Sequence, residues 1–95
     1  MYIRTTRFQV KREAIGQFDG LVENARQKTA ALDGLQQSYF AMDDSGSGVM
    51  VGIWESKEKL MSSLPTVKAN WAEVGDQLDG QPQTDEYPKT VRVKG

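Results

Sequence analysis

Apolar and polar positions along the chain follow two periods, and the changes between them read strand, helix, strand, strand, helix, strand. Tyr2 to Val10 is rich in Thr, Ile, Phe and Val and suits a strand. From about Arg12 to Leu32, the residues Ile15, Phe18, Val22, Ala25, Thr29 and Leu32 recur at steps of three and four, which lays them on one stripe of a helix. Asp33-Gly34 ends it, glycine being free to take the left-handed cap. Leu35 to Met42 and Gly48 to Trp54 are two β-like runs joined by Asp43-Asp44-Ser45-Gly46-Ser47, a connector that suits an antiparallel hairpin. Ser56 is then placed to cap a helix, with Glu58 in its first turn where the helix dipole favours an anion. Leu60, Leu64, Val67, Trp71, Val74 and Leu78 form the second stripe. Pro65 interrupts it, and proline fits best in a first helical turn, so the sequence predicts a short helix to about Ser63 and another from about Pro65. Asp79-Gly80-Gln81-Pro82 closes that helix, and a polar loop leads to a last strand over Pro88 to Lys94.

This order makes two β-α-β units with right-handed crossovers: an α+β, ferredoxin-like β-α-β-β-α-β antiparallel sheet with both helices on one face. The other face decides the assembly. A strand with one wet face alternates apolar with polar, yet Val49-Met50-Val51-Gly52-Ile53-Trp54 is apolar on both sides. With the helices spent on the near face, the natural cover for the far one is the same face of a second copy about a two-fold axis. A homodimer through the helix-free sheet face is therefore expected.

Composition narrows the chemistry. The 95 residues make a single domain, residues 1–95, small enough that a partner subunit is a reasonable source of extra stability. With no cysteine and no histidine, thiolate catalysis, disulfides, the commonest metal ligand and the usual near-neutral acid-base group are all missing. No metal site and no cofactor are expected. The net charge is -1, with Lys and Arg dispersed, which argues against a nucleic-acid partner. The N-terminal MYIRTTRFQV lacks an apolar core of signal-peptide length, and no run of ~18 apolar residues occurs, so a soluble cytoplasmic protein without membrane association is expected.

The layout, with Ile53-Trp54-Glu55-Ser56 closing the third strand, the charged helix after it, Pro65, and Val67-Lys68-Ala69-Asn70-Trp71, resembles the antibiotic biosynthesis monooxygenase-like proteins of the dimeric α/β-barrel superfamily. The resemblance spans nearly the whole chain. It implies two sheets paired into a barrel, a ligand cleft between each sheet and its own helices, and either cofactor-free oxidation of quinol or polyketide rings by O2 or haem degradation. The haem-degrading branch binds iron through a histidine where Trp71 stands here, and this chain has no histidine, which sets that activity aside. The cofactor-free branch surrounds an aromatic substrate with Asn, Trp, Tyr and Arg. The counterparts in kind are Asn70, Trp71 and Tyr39 as catalytic candidates, and Trp54, Arg92 and Phe18 as ligand-binding candidates.

Each candidate has a structural reading beside the functional one. Trp54, at a strand end beside a helix start, fills a core corner or stacks on a flat ligand. Trp71, central in the second stripe, is core or pocket wall. Asn70, at the flank of that stripe, bonds a substrate oxygen or faces water. Tyr39 donates to a ring carbonyl or sits in an interface or the core. Arg4 and Arg7 lie on opposite faces of the first strand, and whichever points inward needs a carboxylate or a bound anion. Asp43-Asp44 and Asp85-Glu86 read as solvated loop carboxylates. Two functions follow: a cofactor-independent monooxygenase acting on a small aromatic, or a non-catalytic dimeric small-molecule-binding or stress-related module of the same fold. Whether Trp71, Trp54 and Phe18 leave a cleft between them discriminates the two.

Overall fold

In the computed structural model, which describes all residues from Met1 to Gly95, four strands form one antiparallel sheet: β1 (Tyr2–Gln9), β2 (Leu35–Met42), β3 (Ser47–Trp54) and β4 (Gln83–Tyr87). Their order across the sheet is β2-β3-β1-β4. The two helices, α1 (Phe18–Thr29) and α2 (Lys57–Glu73), lie in the two crossovers, which is the ferredoxin-like arrangement expected from the order of elements. Register fixes the faces. Tyr2 pairs with Trp54, Arg4 with Gly52, Thr6 with Met50 and Phe8 with Gly48, and this set lies beneath the helices. Ile3, Thr5 and Arg7, opposite Ile53, Val51 and Val49, occupy the bare face.

Two clusters fill the space under the helices. Phe8, Val10, Ala14, Leu21 and Leu78 form one, and Tyr2, Trp54, Leu60 and Val67 the other, with Trp71 packed against both. The hairpin turn is held by Asp43, whose Oδ1 accepts from the backbone N–H groups of Ser45 (2.9 Å) and Ser47 (3.1 Å) and from the Ser45 hydroxyl. These bonds, the Ser45 hydroxyl first, hold the Asp43 carboxyl below its ordinary value. Gly46 in that turn has φ +87°, a conformation that disfavours any other residue. Ser56 caps α2 as expected, its side chain accepting from the Lys59 N–H.

Four expectations change. The chain from Arg12 to Gln17 is a 3-10 helix, and α1 begins only at Phe18. A 3-10 turn advances ~120° per residue against ~100° in an α-helix, so six residues rotate the inward stripe by about one position. Leu21, not Val22, is accordingly the buried residue. At the second helix, α2 runs unbroken through Pro65. Met61 and Pro65 are both exposed, so the carbonyl that loses its donor faces water and the helix survives. The same helix ends at Glu73 and hands over to a short 3-10 turn, Gly75–Gln77, before Leu78.

The fourth change is the last strand. It is Gln83–Tyr87 rather than Pro88 to Lys94, pairing with Ile3 to Arg7 of β1. Beyond Tyr87 the chain runs past the N-terminal end of β1, so its β-branched residues have no ladder to join, and Val91 and Val93 are exposed. Asp85 and Glu86 therefore stand on a strand rather than in a loop, and point to opposite faces.

Candidate aromatic cleft

Between the sheet and the two helices a cleft of about 100 Å³ remains open on one side. Its floor is the covered sheet face: Arg4 and Thr6 from β1, Ser38 and Phe40 from β2, Met50 and Trp54 from β3. Asn24 and Lys28 of α1 form one wall, Asn70 and Trp71 of α2 the other. Trp54 is buried, and its Nε1 lies 3.0 Å from where a Cβ on Gly52 would stand. The bare Gly52 thus lets the indole lie back along the strand. The Gly48 position likewise leaves room for the Phe8 ring, since a Cβ there would meet it at 2.4 Å. Phe8 in turn packs at 5.0 Å from Phe40 and 5.8 Å from Trp71, so a core ring backs two of the aromatic residues that line the cleft.

The polar groups divide into those already used and those left free. Arg4 is the inward arginine: its Nη1 donates to Glu86 Oε2 at 3.0 Å, the carboxylate that an inward cation requires. Tyr2 donates its hydroxyl to the other Glu86 oxygen at 2.6 Å, and that bond, with burial, raises the tyrosine above its ordinary value. Lys28 reaches across to Glu73 at 3.1 Å, an ion pair that joins α1 to α2. No side chain within the protein engages the amides of Asn24 or Asn70, and both line the cleft. An amide offers two N–H donors and a carbonyl acceptor, so the cleft walls present free hydrogen-bonding capacity beside an apolar floor.

Of the residues proposed from sequence, the structure brings Asn70, Trp71 and Trp54 together at the cleft. Phe18 stands one layer away, edge-on to Phe40 at 5.5 Å. Tyr39 does not join them. It pairs with Val51 on the bare face, is 57% exposed, and its hydroxyl donates to Gln37 at 3.0 Å. Arg92 also lies elsewhere, exposed in the segment after β4, because the strand expected to carry it inward is not formed. Asn24, Lys28 and Thr6 were not singled out from sequence. The first two flank Ala25 and Thr29 of the expected stripe and come inward with the turn of α1 that also buries Leu21, and the inward parity of Arg4 would have pointed to Thr6, two residues on.

No family model and no curated protein sequence matches the chain. Solved structures do. SnoaB, a cofactor-independent oxygenase from Streptomyces nogalater, superposes with a TM-score of 0.78 at 12% identity, over 99% of this chain and 97% of that one. An antibiotic biosynthesis monooxygenase superposes at 0.76 with 14% identity, over 96% and 100% of the two chains. The chain has the antibiotic biosynthesis monooxygenase fold. A conserved protein from Methanosarcina mazei Go1 shares it as well, with a TM-score of 0.77 and 19% identity over 95% of this chain and 94% of that one. No helix is long and apolar enough to cross a membrane.

Proposed function

We propose that the cleft binds a small aromatic compound and that the protein is a cofactor-independent monooxygenase of a quinol or polyketide-like phenol. The observation that carries this reading is the combination of an apolar, indole-walled cleft with the free amides of Asn24 and Asn70. An engineered apolar cavity of ~150 Å³ admits benzene, so a cleft of about 100 Å³ with an open side fits one ring, with substituents projecting through the mouth. Ionised phenols of this kind give an electron to O2 directly. Balanced for a hydroquinone, one ring C–H and O2 become a hydroxyquinone and one water, with all four electrons drawn from the substrate. The protein's part is to exclude water, hold the ring against Trp71 and Trp54, and donate hydrogen bonds from Asn70 and Asn24 to the oxygen on which charge develops.

The bare sheet face is covered in this reading by a second copy. Ile3, Val49, Val51 and Ile53 make its apolar centre, Tyr39 and Tyr87 flank it at 57% and 50% exposed, and the exposed Arg7–Asp85 ion pair marks its rim. That is the layout of an interface, apolar within and polar at the edge.

Oxygen uptake with a panel of hydroquinones and anthrone-like phenols, in chelator and without flavin, tests the activity. Uptake above autoxidation that falls about a hundredfold in Asn70→Ala supports it, with Tyr39→Phe as the control that keeps wild-type rates. If no substrate exceeds the background, or Asn70→Ala matches wild type, the cleft belongs to a non-catalytic binding module.

A further inference from the structure

The floor of the cleft holds two polar groups that the oxygenase chemistry above leaves unused. A guanidinium carries five N–H donors in a planar fork. The Arg4 side chain is 12% exposed, yet within the protein its only acceptor is Glu86, reached through Nη1. Two residues along the same face, Thr6 is 4% exposed, and its hydroxyl bonds no other group of the chain. Arg4, Thr6 and Trp71 also line a second, larger groove between α2 and β4, of about 440 Å³, so they stand where the two spaces meet. The charged residues lining the cleft are Arg4 and Lys28, both cations; the carboxylates that balance them, Glu86 and Glu73, lie outside the lining. The remaining donors of Arg4 and Thr6 find no acceptor within the chain and open onto the cleft, and a planar oxyanion is the group that matches the free edge of an arginine fork.

We infer that the ligand of this cleft carries a carboxylate or equivalent planar oxyanion that docks on Arg4 and Thr6 while its ring lies between Trp54 and Trp71. The inference rests on the aromatic-cleft reading and adds the charge of the substrate to it. Glu86 then acts as the internal competitor: it neutralises Arg4 in the empty site and holds the fork in place with one edge free. Tyr2 takes up the remaining Glu86 oxygen and so fixes that carboxylate over β1.

Benzoate and its neutral isostere benzamide separate the two readings. Both are titrated into the protein while the indole N–H resonances of Trp54 and Trp71, the two tryptophans of the chain, are followed by nitrogen-correlated NMR. The expected result is that benzoate binds about tenfold or more tightly than benzamide. Arg4→Met abolishes that preference while benzamide affinity stays unchanged. Glu86→Gln, which removes the competitor and keeps the shape, tightens benzoate but not benzamide, and this variant decides the matter if Arg4→Met does not fold. Equal binding of the two probes, a preference that survives Arg4→Met, or Glu86→Gln without effect overturns the inference and leaves the aromatic cleft standing. If neither probe moves the indole signals, the aromatic cleft falls too, and the inference with it.

Discussion

Both faces of the sheet are centred on apolar residues, and they differ in the polar groups set among them. The face beneath the helices carries Arg4, Thr6, Ser38 and Glu86 among its apolar residues, whereas the bare face is centred on Ile3, Val49, Val51 and Ile53. The same two strands supply an arginine–carboxylate pair to each side. Arg4–Glu86 closes at 3.0 Å with the arginine 12% exposed, and Arg7–Asp85 stands at 3.5 Å with the arginine 65% exposed. An exposed pair of that kind contributes little and can sit on any rim, while an inward cation has to be answered by its surroundings. The inward cation of the covered face and the uncovered apolar centre of the other are the features on which the proposed ligand and the proposed second copy rest.

The largest expected effect breaks the covered face at its core. Trp54→Ala removes a buried indole that packs with Tyr2, Leu60 and Val67, and is expected to cost about 3 to 5 kcal/mol in urea unfolding. A loss below ~1 kcal/mol would show that the indole lines an open cleft without supporting the fold. The bare face is broken by Val51→Asp, which puts a charge at its centre beside Tyr39 and Thr5. Self-association should weaken at least a hundredfold, about 2.8 kcal/mol, with the monomer retaining native circular dichroism. Sedimentation that finds wild type and variant at the same mass removes the dimer from this account.

A smaller change sharpens the covered side. Gly52→Ala places a methyl 3.0 Å from Trp54 Nε1, so the indole must shift, at an expected cost of about 1 to 2 kcal/mol, together with a displaced indole N–H resonance. An unchanged resonance would mean that the indole does not rest over Gly52. The smallest effect concerns the turn joining β2 to β3, which lies on neither face. The Asp43 carboxyl is held below its ordinary value in the folded state, so its contribution to stability is present above the unfolded value and is lost as pH falls through the folded one. Asp43→Asn should lower stability slightly in the neutral range and flatten the acid limb, the two proteins converging at the acid end where the wild-type carboxyl is protonated. A variant whose acid limb matches wild type would remove this carboxylate as a contributor.

Much of this architecture was legible in the residues. The two hairpin strands, the Ser56 cap and the double apolarity of Val49 to Trp54 are local signals, because side-chain alternation and capping are settled within a few residues of chain. The proposal of a second copy over the far face rests on the same pattern. Of the site, Asn70, Trp71 and Trp54 were legible because they sit on or beside stripes whose inward direction the period reveals.

What tertiary structure alone decided were matters of phase and partner. The 3-10 turn at Arg12–Gln17 turned α1 so that Leu21, Asn24 and Lys28 join the expected Ala25, Thr29 and Leu32 on its inward side. Whether Arg4 or Arg7 faced inward depended on which side of β1 the helices packed, a choice that strand alternation leaves symmetric. The last strand formed at the polar Gln83–Tyr87 rather than at the β-branched Thr90 to Val93 because a strand needs a neighbour more than a propensity. β1 offers its ladder to residues 83 to 87 and ends before it reaches the valines.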